Sequence, residues 1–170
     1  FLSLYILTAP GAIHESDGLS MYEVTKSIVE YHDFSVPEGE VTGTEGLDHR
    51  NYSPYGIGQS IFAVPLYVLG KALSSFVDIE PRFLIKFVVS MFSPIVTAFT
   101  CVLIYKLGRK FDYSIKISAI LSLTYGLATM AWAYSKMFFS EPLLNLFILS
   151  SVYFIIGLGS LFLIEALVRY

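Results

Sequence analysis

Uncharged apolar runs dominate the chain, at 51–70, 87–105, 117–135 and 142–164, with a shorter run at 1–13. Each long run is close to the roughly 20 residues that carry a helix across a bilayer. The run at 1–13 is too short to cross alone and lacks the basic segment of a signal peptide, so it reads as the outer end of a first transmembrane helix. Residues 14–53 contrast with these runs. There Met21, Val24, Ile28 and Tyr31 recur at three- and four-residue spacing, while Glu23, Lys26, Ser27 and Glu30 fill the other positions. This period predicts an amphipathic helix over about 19–32, lying along a membrane surface. Ser20 and Glu23 are spaced as a capping box at its start. Beyond it, Pro37-Glu38-Gly39 and Gly43-Thr44-Glu45-Gly46 are turn chemistry without an apolar period, so this stretch is expected to lack strands and to stay mobile until a ligand orders it.

The run from residue 54 departs from the others because Gly56, Gly58, Gln59, Ser60 and Pro65 interrupt it. Those residues suit a juxtamembrane or re-entrant helix over 54–75 better than a lipid-exposed span. Transmembrane helices are then expected at 83–106, 116–135 and 142–166. The expected fold class is all-α: a polytopic transmembrane helix bundle forming a single membrane domain over 1–170, with an external juxtamembrane amphipathic helix in a long first loop. The chain reads as a fragment of a longer protein.

Composition agrees with a membrane setting, since 55% hydrophobic and 15% charged residues, with mean hydropathy +0.65, exceed what a soluble core of 170 residues requires. The net charge of -3 conceals an acidic loop in which Glu15, Asp17, Glu23, Glu30, Asp33, Glu38, Glu40, Glu45 and Asp48 face only Lys26 and Arg50. By the positive-inside tendency this loop lies outside the cytoplasm, and Lys106, Arg109, Lys110, Lys116 and Arg169 lie within it. Lys71, Arg82 and Lys86 then fall on the external side, balanced in part by Asp78 and Glu80. Nucleic acid is excluded as a partner, because no basic patch interleaved with aromatics is present. Cys101 is the sole cysteine, so neither a disulfide nor a thiolate metal site is available within the chain.

Asp17 and Glu141 stand where polar sequence meets apolar runs, positions at which a carboxylate must find water, a partner or a task. With 54–75 not crossing, both fall on one side. Each also has a local reading: Asp17-Gly18 as a turn or helix N-cap, and Glu141-Pro142 as an ordinary helix start. Two carboxylates with water would suit Mg²⁺ or Mn²⁺. His14, His32 and His49 lack the helical His-x-x-x-His spacing of a zinc site. Tyr52, Tyr55, Trp132, Tyr134, Phe138 and Phe139 fit an aromatic belt at a membrane interface.

Three motifs, in order, carry a resemblance: Asp17-Gly18-Leu19-Ser20-Met21-Tyr22-Glu23, then Tyr52-Ser53-Pro54-Tyr55-Gly56-Ile57-Gly58-Gln59, then Tyr134-Ser135 followed by Phe138-Phe139-Ser140-Glu141-Pro142-Leu143. The chain resembles the N-terminal part of a GT-C-type membrane glycosyltransferase, the superfamily of protein O-mannosyltransferases and aminoarabinose transferases. That resemblance implies a polyprenyl-phosphate sugar donor, a glycan, lipid or protein acceptor, surrounding membrane lipid, and a prokaryotic cell membrane ahead of the endoplasmic reticulum. It implies Asp17 as the catalytic base of an inverting displacement. Glu141 would orient the acceptor, steady the sugar or share a divalent ion with Asp17, although members using a lipid monophosphate donor generally need no metal. Relatives carry Lys in a Tyr-x-Lys pattern where this chain has Tyr52-Ser53-Pro54, so Arg50 and Lys136 become the candidate phosphate-holding cations. His49, Tyr52 and Tyr55 complete the candidate substrate-binding set. The alternative is a non-enzymatic transporter or structural membrane module. No internal repeat of the kind many transporters show is visible.

Overall fold

The computed structural model describes residues 1–39 and 41–169, with side chains described as far as residue 158. Glu40 and the side chain of Arg169, expected in the acidic loop and on the cytoplasmic side, lie outside the described residues. The chain is mostly helical: α1 (Leu2–Thr8), α2 (Ser16–Glu30), α3 (Gly58–Leu73), α4 (Pro81–Ser90), α5 (Phe92–Lys110), α6 (Ile115–Ala128), α7 (Met130–Tyr134) and α8 (Glu141–Arg169). Two stretches, Pro81–Lys110 and Glu141–Leu158, are long and apolar enough to cross a membrane.

The loop between α2 and α3 is not free of strands. It holds β1 (Ser35–Val36), β2 (Thr44–Glu45) and β3 (Asn51–Tyr52) in an antiparallel sheet of order β1-β3-β2. Tyr52 stands opposite both Ser35 and Thr44. Strands of two residues are too short to display a period, which is why turn chemistry alone was visible there.

The helix α2 corrects the amphipathic expectation in two respects. It begins at Ser16 with Glu15 at the N-cap, so Ser20 lies one turn inside and no capping box forms. The Ser20 hydroxyl instead reaches the carbonyl oxygens of Ser16 at 3.1 Å and Thr42 at 3.0 Å. Glu23 and Ser27, expected on a wet face, are buried, while Tyr31, expected to pack, is 66% exposed. The cause is tertiary: β1 and the Thr42 segment cover one side of α2 while α3 packs on another. The α2–α3 contact is polar at its centre, with the Ser60 hydroxyl donating to the Met21 carbonyl at 2.8 Å and the Thr25 hydroxyl to the Ser60 carbonyl at 3.2 Å.

The stretch predicted over 83–106 lies within Pro81–Lys110, which is long enough to cross and is marked only by a turn at Met91, between α4 and α5, whose backbone stays helical at φ −72° and ψ −8°. A second expected span is cut short. The stretch predicted over 116–135 stops at Thr129, whose backbone is extended at φ −128° and ψ 179°. There the Thr129 hydroxyl donates to the Tyr125 carbonyl at 2.6 Å and accepts from the Ala131 N–H at 3.1 Å, an alternative to helical bonding. With 14 residues, α6 is about 21 Å long, shorter than the roughly 30 Å of bilayer hydrocarbon. By contrast α3 continues through Pro65 without interruption.

Side chains of several helices are sorted in reverse of a soluble core. In α3, Gln59, Ser60, Ala63, Gly70 and one large residue, Tyr67, are buried while Ile61, Phe62, Val68 and Leu69 are exposed. In α6, Ser118, Ser122 and Gly126 are buried while Ile117, Ile120, Leu121 and Leu123 are exposed. Small and hydroxyl residues at helix contacts, with large apolar side chains outside, are how helices associate within hydrocarbon. The apolar core itself is concentrated where α2, α3 and α4 meet the starts of α5 and α8, around Met21, Tyr67, Val89, Phe92, Phe138 and Leu143.

Candidate functional site

The Asp17 and Glu141 segments converge at this end of the bundle. Asp17 occupies the second position of α2, half-buried in a first turn whose unpaired N–H groups favour a negative charge. It is not the N-cap, a place Glu15 takes. The next residue, Gly18, is buried against the segment leading to α8: a methyl group there would stand 3.3 Å from the Phe138 carbonyl oxygen and 3.1 Å from Ile13 Cγ2. Phe138 is 2% exposed and meets Phe92 edge to face at 6.1 Å, so the segment is pinned from below. Glu141 follows three residues later, a chain reach of at most roughly 11 Å. It opens α8 with an exposed side chain.

Other contacts hold the same end. The Trp132 indole N–H donates to the Thr8 hydroxyl at 3.3 Å, tying α7 to the end of α1. Lys136 lies 5.0 Å from the centre of the Trp132 ring and makes no ion pair among the described residues. Tyr55 is brought to Asp17: hydrogen bonding to that carboxylate, followed by burial, holds its phenol above the ordinary tyrosine value. A hollow of about 450 Å³ opens beside the first turn of α2, lined in part by His14, Ser16, Leu19 and Thr42.

The remaining expected residues are engaged within the sheet. The Arg50 guanidinium donates to Asp33 at 2.8 Å and lies 3.8 Å from Asp48. Tyr52 donates to Asp48 at 2.7 Å. His49, at φ +59°, pairs with Glu45 at 2.8 Å. Asp33 is pushed below the usual carboxylate value by hydrogen bonds from the Ser35 hydroxyl and the Phe34 N–H, and Asp48 by the bond from Tyr52. Arg50 is therefore committed to loop carboxylates, which leaves Lys136 as the less committed of the two candidate cations.

Gln59 is a residue whose importance sequence reasoning missed. It is 2% exposed, and neither its Oε1 nor its Nε2 has a hydrogen-bond partner among the described residues. It shares a face of α3 with Ala63, which packs in the same core as Phe138 and Leu143. An amide in an otherwise apolar run was the available signal. A buried amide without a partner is a costly arrangement that a polar ligand would relieve.

Among the described residues no group of three or more His, Cys, Asp or Glu side chains is arranged to hold a metal ion. No family model, curated protein or solved structure matches this chain.

Proposed function

We propose that the chain forms part of a multi-pass membrane glycosyltransferase that moves a sugar from a polyprenyl-phosphate donor to an acceptor on the external face. The observation that carries this reading is the packing of Gly18 against the Phe138 carbonyl, which joins the Asp17 motif to the Glu141 motif at one end of the bundle. Multi-pass insertion is supported by the outward apolar faces of α3 and α6 in addition to the two longer apolar stretches.

In the proposed displacement the acceptor oxygen attacks the anomeric carbon while the bond to the lipid phosphate breaks. Asp17 takes the acceptor proton, and the leaving electron pair goes to the phosphate oxygen. Tyr55 fixes the direction of the Asp17 carboxylate, Glu141 orients the acceptor, and Lys136 offers positive charge to the departing phosphate. These roles require no metal ion. Sugar transfer by the full-length protein in proteoliposomes tests the assignment. Asp17→Asn is expected to lower kcat by about 10²–10⁴-fold, the usual worth of a positioned base, with Glu141→Gln also impaired. Undiminished transfer by both variants would overturn it.

A further inference from the structure

A second polar cleft, of about 410 Å³, lies between the C-terminal half of α2, the end of α3 and the start of α4. Four cations line it, Lys26, Lys71, Arg82 and Lys86, against two carboxylates, Glu23 and Glu30. Both carboxylates are already engaged. Glu23 pairs with Lys26 at 3.0 Å. Glu30 accepts a hydrogen bond from Tyr67 at 2.8 Å and faces Lys71 at 3.6 Å. Arg82 and Lys86 make no ion pair among the described residues, and Lys86 sits 5.3 Å from the centre of the Tyr22 ring. The cleft lining thus holds two positive charges outside any ion pair among the described residues, one helical turn apart on α4, with Glu80 just before the helix as the nearest acidic residue in sequence.

Next to those charges the surface is apolar. Phe83 and Phe87 follow Arg82 and Lys86 on α4 and are 56% and 39% exposed, and Phe76, in the turn before α4, is 86% exposed. A cationic hollow bordered by exposed aromatic side chains matches a ligand with a phosphate at one end and hydrocarbon at the other. Guanidinium donates two parallel N–H groups to phosphate oxygens, and ammonium adds a point charge.

We infer that this cleft binds the phosphate headgroup of an anionic membrane lipid, with Arg82 and Lys86 on the phosphate and Phe83 and Phe87 along the acyl chains. The site is separate from the proposed reaction centre, because Lys26 lies nine residues along α2 from Asp17, about 13.5 Å of helix. It also needs no transfer activity to be observed.

Native mass spectrometry of the full chain in detergent, titrated with phosphatidylglycerol and phosphatidylcholine, is the test. Phosphatidylglycerol is expected to bind at least tenfold more tightly, and Arg82→Gln with Lys86→Gln to abolish that preference. Lys106→Gln with Lys116→Gln, away from the cleft, is expected to retain it. Equal binding of the two lipids, or equal loss in both double variants, would overturn the inference. Displacement of the lipid by an equal concentration of inorganic phosphate would show a free-phosphate site and would overturn the lipid assignment. A photoactivatable phosphatidylglycerol crosslinked to the unaltered chain supplies a readout independent of variant folding. Labels within 74–87 are expected, and labels confined to other segments would overturn it.

Discussion

Gln59 shows how one side chain can reverse its meaning between sequence and structure. In the run from residue 54 it weakens the case for a lipid-exposed span, whereas in the fold it is a fully buried amide with no described partner. Leaving such a group unpaired costs about 1–3 kcal/mol, a burden that a bound polar ligand would remove. Gln59→Met, similar in volume and without hydrogen-bonding groups, should therefore raise the thermal midpoint of the ligand-free protein while weakening sugar transfer. A lower midpoint in differential scanning fluorimetry would show that the amide is satisfied and has no ligand to meet. Asp17 changes less: a carboxylate at a boundary becomes a carboxylate in the first turn of α2 with Tyr55 beside it.

At the scale of elements, the small sheet and the α3–α4 hairpin respond to different perturbations. Asp33 and Asp48 have depressed pKa values in the folded chain, held down by Ser35, Phe34 and Tyr52. Their contribution is fully present above the unfolded carboxylate value of about 3.9 and is lost as pH falls through the lower folded values. Hydrogen exchange at residues 35–36 and 51–52, corrected for intrinsic rates, should accordingly show protection that is steady from pH 7 to 5 and falls near and below pH 4. Protection unchanged in acid would remove these carboxylates from the account of the sheet. In the hairpin, Gly70 faces Ile85 so closely that a Cβ would lie 2.9 Å from the Ile85 Cα, whereas one at Gly56 would meet nothing within 4 Å. Gly70→Ala should cost about 1–3 kcal/mol through forced separation of the helices, and Gly56→Ala should be close to neutral in thermal denaturation. Equal effects at both positions would contradict the close packing.

For the whole molecule the proposed multi-pass arrangement turns on which ends share a side of the bilayer. Ser20 is unsuited to labelling because it is fully buried, but Ser16, Ser114 and Ser140 are exposed. In a Cys101→Ala background, cysteine at 16 and at 140 should react with an impermeant maleimide from one face and cysteine at 114 from the other. Reaction of 16 and 140 from opposite faces would separate Asp17 from Glu141 and end the shared-site reading. The arrangement rests on contacts distant in sequence: Thr8 with Trp132, Gly18 with Phe138, and at the far end Lys110 with the Tyr153 carbonyl at 3.4 Å.

By itself the sequence determined the helical class, the apolar runs and the approximate place of α2 and α3, because composition and a 3.6-residue period are local properties that survive in one dimension. It also marked Asp17 and Glu141, since charge beside apolar sequence is visible without coordinates. The stop at Thr129 and the strands of two residues were not legible because neither leaves a periodic signal, and the burial of Glu23 was not because it depends on neighbours far along the chain. Only the tertiary structure decided that Arg50 is spent on Asp33 and that Tyr55 turns to Asp17. It also decided that Arg82 and Lys86 face a common cleft. A side chain's partner is set by packing, and packing is fixed only when the whole chain has chosen which faces to hide.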